Sequence, residues 1–330
     1  MKLNFEQIKS ITKGVVNVEF DNGKYKFFRF TAEESKSIEN QNFLATAGVQ
    51  MMFKTDGKKL KLKIFTQHAM PIRSYFSLDV LADGVYIGSI KNFDDDTAKG
   101  NYAEREYPLG SFNGEFNLGE GEKSVKIVFP HSVIAYLEEI EIENATYVTP
   151  IKKEKTIVFY GDSITQGFEA LHASKTYAAR LAESLDAETI NKGLGGAVFC
   201  PKLAFAAPDV KADLVVVAYG TNDWYALEQA QIRKNAEEFL TVIKKKFAHV
   251  PVYVLTPIWR FDWLSEKKGG KVFEIIDIIY DVFQNNENMH IICGTDLVPH
   301  DETLFGDLRL HPSDDGFEHY FKNLLKEINC

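Results

Sequence analysis

The spacing of apolar residues changes near the middle of the chain. In the first half, short stretches alternate apolar and polar residues, as in residues 60–64 and 76–80, and several end at glycine turns. A period of two is typical of strands with one buried face. Asp21-Asn22-Gly23-Lys24 separates two such stretches and predicts a β-hairpin. We therefore predict that the first half is an all-β sandwich or jelly roll.

The second half shows a different pattern, in which strand-like runs alternate with helical ones. Residues 157–160 and 214–219 are continuous apolar runs, which is typical of parallel strands buried on both faces. Apolar residues at helical spacing occur between and after such runs, as in residues 232–247, 272–283 and 317–328. This alternation predicts an α/β fold with three layers, a doubly wound parallel sheet of flavodoxin-like type covered by helices on both faces.

The charged segment 150–155 separates the two patterns and predicts a domain boundary. We expect a sandwich domain over residues 1–150 and an α/β domain over residues 151–330, and a chain of 330 residues is long enough for both.

The net charge of -9 argues against nucleic acid or an anionic membrane as a partner. The polar start carries no secretory signal pattern, and no apolar run is long enough to span a membrane, so we expect a cytoplasmic protein. Cys200, Cys293 and Cys330 are far apart, which indicates neither a disulfide framework nor a metal site. The sequence carries no signal for an oligomeric state.

Four polar or glycine-rich segments carry the candidate chemistry. Three directly follow predicted strands: Gly161-Asp162-Ser163, residues 191–197 and Gly220-Thr221-Asn222-Asp223. The fourth, His311-Pro312, precedes the last predicted helix. Ligands bind at the carboxyl ends of strands in such sheets. A serine nucleophile needs a base and donors for the developing oxyanion, and these segments contain such groups.

Each segment alone is a weak signal, but together and in this order they resemble the SGNH, or GDSL-type, serine hydrolase family over about residues 156 to 330. The resemblance implies that Ser163 is the nucleophile and His311 the general base. It also implies an oxyanion hole formed by the backbone N–H groups of Ser163 and Gly196 and the side chain of Asn222. Gly196 is preferred to Gly193 or Gly195 because of its spacing from Asn191.

The acid that would orient His311 departs from the family pattern. Members usually place an aspartate three residues before the histidine, where this chain has Leu308. Asp307 lies one residue further back, and a bulge in the loop would bring its carboxylate to His311. The alternative is a Ser–His dyad, in which a backbone carbonyl orients His311 and Asp307 is solvated. We expect the bulge and a Ser-His-Asp triad.

The first half resembles the jelly-roll domain attached to some members of the family, including carbohydrate esterases. The resemblance therefore implies a serine esterase that removes short acyl groups, acetyl first among them, from a small-molecule or oligosaccharide ester, without a cofactor or metal. The alternatives are a lipase, thioesterase or acyltransferase that uses the same serine, and a carbohydrate-binding module with a decayed hydrolase site. The presence of Ser163, Asn222 and His311 argues against the binding module.

Aromatic residues supply two further sets of candidates. Those that follow predicted strand ends, and would shape a substrate pocket, are Trp224, Trp259 and Trp263. Those on the sandwich that would line a sugar-binding groove, together with an arginine, are Arg73, Tyr75 and Tyr86. For both sets, packing in the interior is the alternative role.

Overall fold

The computed structural model describes residues 1–39 and 41–328, so Cys330 lies outside the described residues. The first half of the chain forms antiparallel strands, as its alternating pattern predicts. These strands are β1 (Thr12–Lys13), β2 (Asn17–Asp21), β3 (Lys24–Phe28), β4 (Gln50–Thr55), β5 (Lys59–His68), β6 (Ser77–Ala82), β7 (Val85–Lys91), β8 (Ser111–Asn117), β9 (Lys123–Val128), β10 (Val133–Glu143) and β11 (Val148–Pro150).

These strands form two sheets, in the orders β2-β3-β10-β5-β8 and β1-β4-β9-β6-β7, with β11 added beside β4. When β3 to β10 are counted from one to eight, the sheets run 1-8-3-6 and 2-7-4-5, which is the jelly-roll arrangement. The predicted hairpin joins β2 to β3, with Asn22 (φ 50°) and Gly23 (φ 77°) both left-handed. Two left-handed residues are what a type I′ turn requires. The structure thus confirms the predicted jelly roll.

The second half contains the predicted parallel sheet. Its strands are β12 (Lys155–Gly161), β13 (Ala187–Gly193), β14 (Leu214–Ala218), β15 (Val252–Leu255) and β18 (Met289–Ile292), and a small separate hairpin consists of β16 (Glu266–Lys267) and β17 (Gly270–Lys271). The helices of the chain are α1 (Phe5–Ile11), α2 (Ala32–Ser35), α3 (Ser163–Gln166), α4 (Tyr177–Ser184), α5 (Pro201–Ala206), α6 (Thr221–Ala226), α7 (Gln229–Lys246), α8 (Val272–Phe283) and α9 (Asp314–Ile328).

The parallel strands follow the order β13-β12-β14-β15-β18, so the strand order reverses beside β12. This 2-1-3-4-5 order is the flavodoxin-like arrangement, in which ligands bind beyond the carboxyl ends of the strands at the point of reversal. One hydrophobic core lies on each face of the sheet: α7 and α8 cover one, and α4 and α9 cover the other. The predicted doubly wound α/β fold is therefore confirmed.

Buried charges connect the sandwich to the edge strand β13. Arg29 is 2% exposed, and its Nη1 donates to the carbonyls of Asn191 (2.9 Å) and Gly193 (3.1 Å). Burial lowers the pKa of Arg29 to about 9. Beside it, the Lys192 ammonium lies 2.7 Å from the Glu34 carboxylate. Since a buried charge is costly unless it is paired or hydrogen-bonded, these contacts favour one arrangement of the two domains.

None of the helices within residues 1–39 and 41–328 combines the length and the apolar character that crossing a lipid bilayer requires.

Candidate active site

Ser163 stands where β12 turns into α3. Asp162 caps this helix, because its side chain accepts a hydrogen bond from the N–H of Ile164 at 2.9 Å. Gly161 lies so close to Thr165 that an added Cβ would come within 2.1 Å of the Thr165 hydroxyl, so only glycine fits there. The turn therefore presents Ser163 at the end of a buried strand with little freedom to move.

His311 contacts the Ser163 hydroxyl directly. The distance from Ser163 Oγ to His311 Nε2 is 2.8 Å, which is a hydrogen bond between the candidate nucleophile and the candidate base. The two side chains come from sequence positions 148 residues apart. Ser163 is 4% exposed and His311 7% exposed, so the pair is shielded from bulk water.

Asp307 lies on the other side of the imidazole. Its Oδ2 is 2.6 Å from His311 Nδ1, and its Oδ1 accepts the backbone N–H groups of Arg309, Leu310 and His311 at 2.8–3.1 Å. Leu308 adopts a left-handed conformation with φ 56°, which accommodates the extra residue. The predicted bulge is present, and Asp307 makes the contact expected of an orienting acid.

The environment of Asp307 keeps it ionised. Burial alone would raise its pKa, but the hydrogen bond and charge of His311, together with the backbone amides, outweigh burial and hold the pKa well below its usual range. A fixed negative charge at Nδ1 favours a proton on that nitrogen, which leaves Nε2 able to accept the serine proton.

The glycine-rich loop after β13 offers one N–H group toward the site. The N–H of Gly193 donates to Asn191 Oδ1, and that of Gly195 donates to Gln166 Oε1, both at 2.8 Å. Within residues 1–39 and 41–328, no acceptor bonds the N–H of Gly196, whose left-handed φ of 79° suits glycine. Of the three glycines, Gly196 is thus the one with a donor free for a ligand.

Asn222 lies in the first turn of α6, just beyond the end of the central strand β14. Its Nδ2 donates to the carbonyl of Ala197 at 3.0 Å, which fixes the side-chain amide beside the glycine-rich loop. Asp223 reinforces this arrangement, because its carboxylate accepts the N–H groups of Phe199 and Gly220, each at 3.1 Å. Asp223 therefore has a structural role, in which it ties the start of α6 to the segment that follows the glycine-rich loop.

Asp223 should make the stability of the fold depend on pH. Burial, with a smaller contribution from the charge of Asp162, raises the pKa of Asp223 to about 7, although three backbone amides oppose the shift. An unfolded aspartate has a pKa of about 3.9. Between about pH 4 and 7 the folded state keeps a proton that the unfolded state has lost, so the contribution of Asp223 to stability falls as pH rises through this window.

We expect Asp223→Asn to remove a slope of up to about 1.4 kcal/mol per pH unit from the free energy of unfolding between pH 5 and 7. Urea unfolding of both proteins at several pH values measures that slope. Asp162, whose pKa burial raises to about 6, stays in both proteins, so the part of its contribution that comes from burial is common to both. If the free energy of unfolding changes with pH in the same way in both proteins, Asp223 is ionised in the folded state over the whole range from pH 5 to 7.

No sequence pattern pointed to Glu169, which is a second carboxylate near His311. Glu169 is fully buried, and its Oε1 lies 3.4 Å from His311 Nδ1. The same oxygen accepts Arg73 Nη2 at 2.7 Å and Nε at 3.0 Å, while Oε2 accepts the Tyr75 hydroxyl at 2.8 Å. Arg73 and Tyr75 belong to the sandwich, so that domain reaches the second layer of the site.

Backbone strain accompanies this contact, because Arg73 and Glu169 both have a φ of 66°. Non-glycine residues rarely adopt left-handed φ, and such residues cluster at functional sites. Of the proposed groove residues, Arg73 does line the cleft beside the site. Tyr75 is instead buried against Glu169, and Tyr86 is absent from the cleft wall, with its ring 5.9 Å from that of His172.

Glu169, Asp307 and His311 are close enough for a shared cation, since one ligand atom from each lies within 4.8 Å of the others. Their carboxylate oxygens are already hydrogen-bonded, however. Arg73 and Tyr75 occupy both oxygens of Glu169, and three backbone amides occupy Asp307 Oδ1. A cation there would have to displace these bonds, so the donor set suits a histidine-orienting group better than a metal site.

A cleft of about 370 Å³ opens beside His311 and Asn222, between the sandwich and the α/β domain. Its volume is within the range of about 300–1,000 Å³ that is usual for small-molecule sites. A larger cavity of about 470 Å³ lies elsewhere, beside Arg29 and Lys192, and none of the candidate catalytic residues lines it. The walls of the cleft are formed by Ile72, Arg73, Asn101, Ala103, Glu104, Asn222, Tyr225, Arg260, Asp307, Arg309, Leu310 and His311.

The tryptophans, which were predicted to shape a substrate pocket, do not line this cleft. Trp224 is fully buried in the core under α7 and α8, where its Nε1 donates to the carbonyl of Gly270 at 2.8 Å. Trp263 lies in the same core, and Trp259 stacks on His300 with ring centroids 5.5 Å apart. These large rings fill the space between helices and loops, and the neighbouring Tyr225, which is 58% exposed, faces the cleft instead.

Comparison with solved structures shows the same overall fold at low sequence identity. The salicylyl-acyltransferase SsfX3 of a tetracycline biosynthetic pathway has a TM-score of 0.80 and 19% identity, covering 96% of this chain and 93% of that one. A family two carbohydrate esterase from Cellvibrio japonicus has a TM-score of 0.64 and 15% identity, covering 98% and 97%. The corresponding esterase from Clostridium thermocellum, solved with cellohexaose, has a TM-score of 0.63 and 14% identity, covering 86% and 93%.

None of the curated proteins matches this chain. Residues 159–319 match the GDSL-like lipase/acylhydrolase family, and that segment contains Ser163, Asn222, Asp307 and His311. The α/β half of the chain is thus a GDSL-like, or SGNH, ester hydrolase domain, and it carries a jelly-roll domain at its N-terminal side.

Proposed function

We propose that the protein is a serine esterase that hydrolyses short-chain acyl esters, with acetyl esters of carbohydrates as the leading substrate class. The observation that carries the proposal is the continuous hydrogen-bonded chain from Ser163 Oγ through His311 to Asp307, with distances of 2.8 Å and 2.6 Å. Such a chain activates a serine hydroxyl for acyl transfer.

Catalysis begins when Ser163 Oγ attacks the ester carbonyl carbon and transfers its proton to His311 Nε2. Asp307 stabilises the imidazolium that results and keeps the ring in position. The tetrahedral intermediate collapses, and His311 returns the proton to the departing alcohol. A water molecule, deprotonated by His311, then attacks the acyl-enzyme. The second tetrahedral intermediate collapses with release of the carboxylic acid, and His311 returns the proton to Ser163 Oγ.

The oxyanion of each tetrahedral intermediate is held by three donors: the N–H of Ser163 at the start of α3, the N–H of Gly196 and Nδ2 of Asn222. These donors follow three different strands, and the hydrogen bond from Asn222 to the carbonyl of Ala197 supports a preorganised arrangement. Such preorganisation is a large part of catalysis, since removal of one oxyanion donor typically lowers kcat by about 10²–10³-fold.

The form of the cleft supports a compact substrate with a polar leaving group. Tyr225 is 58% exposed and Ile72 46% exposed, and both line the cleft. An exposed tyrosine ring offers an apolar face and a polar tip, which suits stacking against a sugar ring. The polar lining of the rest of the cleft favours a hydroxylated alcohol over a lipid chain.

A series of p-nitrophenyl esters tests this function. We expect kcat/KM to be highest for acetate and to fall as the acyl chain lengthens, and we expect acetate to be released from acetylated oligosaccharides. Longer acyl chains preferred by tenfold or more would instead indicate a lipase. Failure to hydrolyse any member of the series would contradict the esterase.

The same acyl-enzyme can transfer its acyl group to an alcohol in place of water, and the fold alone does not choose between these outcomes. Adding a sugar acceptor to the acetate assay measures the partition between free acetate and acetylated sugar. We expect free acetate to dominate, whereas transfer that exceeds hydrolysis would assign the protein as an acyltransferase.

A further inference from the structure

The wall of the cleft carries more positive charge than the chain as a whole would suggest. Three of its lining residues are arginines, Arg73, Arg260 and Arg309, although the net charge of the protein is -9. Arg73 is neutralised by the buried Glu169 carboxylate, which lies 2.7 Å from it. The surplus of positive charge therefore comes from the wall that contains the other two arginines.

Arg260 and Arg309 share a single carboxylate with a lysine. Asp262 lies 2.5 Å from Arg260, 3.2 Å from Arg309 and 3.0 Å from Lys267. Burial opposes ionisation of Asp262, but the hydrogen bonds from Arg260 and Lys267 outweigh it and lower its pKa to about 2. Asp262 thus balances only one of the three cations beside it, and the ionised Asp307, which lines the same cleft, offsets a second.

The two arginines also keep unused donors. Arg260 donates through Nε and Nη2 to Asp262 and through Nη1 to the Thr221 hydroxyl, and Arg309 donates through Nη2 to Asp262. A guanidinium has five N–H groups. Among the described residues, therefore, two N–H groups of Arg260 and most of those of Arg309 have no protein acceptor, and both residues line the cleft.

In contrast to these arginine donors, the hydrogen-bond acceptors that line the cleft are mostly bonded to other groups of the protein. Asp307 uses Oδ1 for three backbone amides and Oδ2 for His311. Glu104 also lines the cleft, but it lies on the opposite, sandwich side. The α/β wall beside Asn222 therefore offers a ligand more unused hydrogen-bond donors than unused acceptors.

We propose that this wall is a subsite for a carboxylate, so that the preferred substrate is an ester bearing a negatively charged carboxylate on its acyl or its alcohol part. Planar guanidinium groups match the two oxygens of a carboxylate, and such charge-assisted hydrogen bonds are stronger than neutral ones. Arg260 is 3% exposed, so its charge is less screened than that of a surface residue. This substrate class rests on the proposed esterase function.

Two matched pairs of esters test the subsite and distinguish the side on which the carboxylate lies. The acyl-side pair is mono-p-nitrophenyl succinate and p-nitrophenyl pentanoate. The alcohol-side pair is acetylated glucuronic acid and acetylated glucose. In one pair we expect kcat/KM to be about tenfold or more higher for the charged ester, because one hydrogen bond to a charged group has an effect of this size. Added salt should reduce this preference, because it screens the charges.

Arg309→Gln should reduce that preference by about tenfold, because it removes a charged donor from the cleft wall. Lys267→Gln is the matched control, since it removes the same charge from the same carboxylate, Asp262, but Lys267 does not line the cleft. The control should keep the preference. No preference in either pair, or equal losses in both variants, would overturn the subsite.

A binding measurement separates this inference from the esterase itself. Titration calorimetry of monomethyl succinate and acetylated glucuronic acid into Ser163→Ala, with and without Arg309→Gln, reports the subsite without turnover. Weaker binding in the double variant supports the subsite even if no ester is hydrolysed. Equal binding in both proteins contradicts it even if neutral esters are hydrolysed well.

Discussion

Ser163→Ala is expected to lower kcat for ester hydrolysis by about 10⁶-fold, the loss seen when the nucleophile of a serine hydrolase is removed. The alanine leaves His311 without a hydroxyl to deprotonate, while the oxyanion donors and the cleft stay in place. KM should change little, because the hydroxyl contributes to covalent chemistry more than to substrate binding. Steady-state kinetics with p-nitrophenyl acetate measures both parameters.

Covalent labelling makes the assignment independent of turnover. A fluorophosphonate should modify the wild-type protein once, and peptide mass spectrometry should place the label on Ser163. Ser174→Ala is a suitable control, since the Ser174 hydroxyl donates to the Asp79 carboxylate at 2.7 Å and not to a histidine. Undiminished activity in Ser163→Ala, or a label on another serine, would remove the proposed mechanism.

Much of the fold follows from local sequence patterns. Burial of alternate residues along β5, with Leu60, Leu62 and Ile64 inside, reproduces the period of two from which the sandwich was predicted. Strand β8 was not predicted, because Ser111–Asn117 has a central glycine and few apolar residues. Its pairing with β5 depends on the tertiary arrangement, which a local pattern does not contain.

The candidate site likewise has a part that local sequence predicts and a part that only the tertiary structure shows. Ser163, Gly196 and Asn222 follow the carboxyl ends of parallel strands, so the fold type alone predicts that they meet. Glu169 and Arg73 are separated by 96 residues and lie in different domains, and no sequence spacing relates them. The tryptophans were misplaced for a related reason, because position after a strand does not show whether a side chain points to the cleft or to the core.

Asp307→Asn is expected to lower kcat by about 10⁴-fold with little change in KM, because it reverses a single hydrogen bond. Three backbone N–H groups converge on Asp307 Oδ1, so an asparagine must place its carbonyl oxygen there. Its amide nitrogen then faces His311 Nδ1 as a donor. The imidazole must respond by carrying its proton on Nε2, and that nitrogen can no longer accept the proton of Ser163.

Glu169→Gln provides the matched comparison, since it removes a second negative charge near the same ring nitrogen. Glu169 lies 3.4 Å from Nδ1 and already accepts Arg73 and Tyr75, so its loss leaves the histidine tautomer unchanged. We expect a loss in kcat of only about tenfold, from the weaker stabilisation of the imidazolium.

The ¹⁵N chemical shifts of the His311 ring report the tautomer in each variant. A larger loss in Glu169→Gln than in Asp307→Asn would make Glu169 the orienting acid, and small losses in both would make the enzyme a Ser–His dyad.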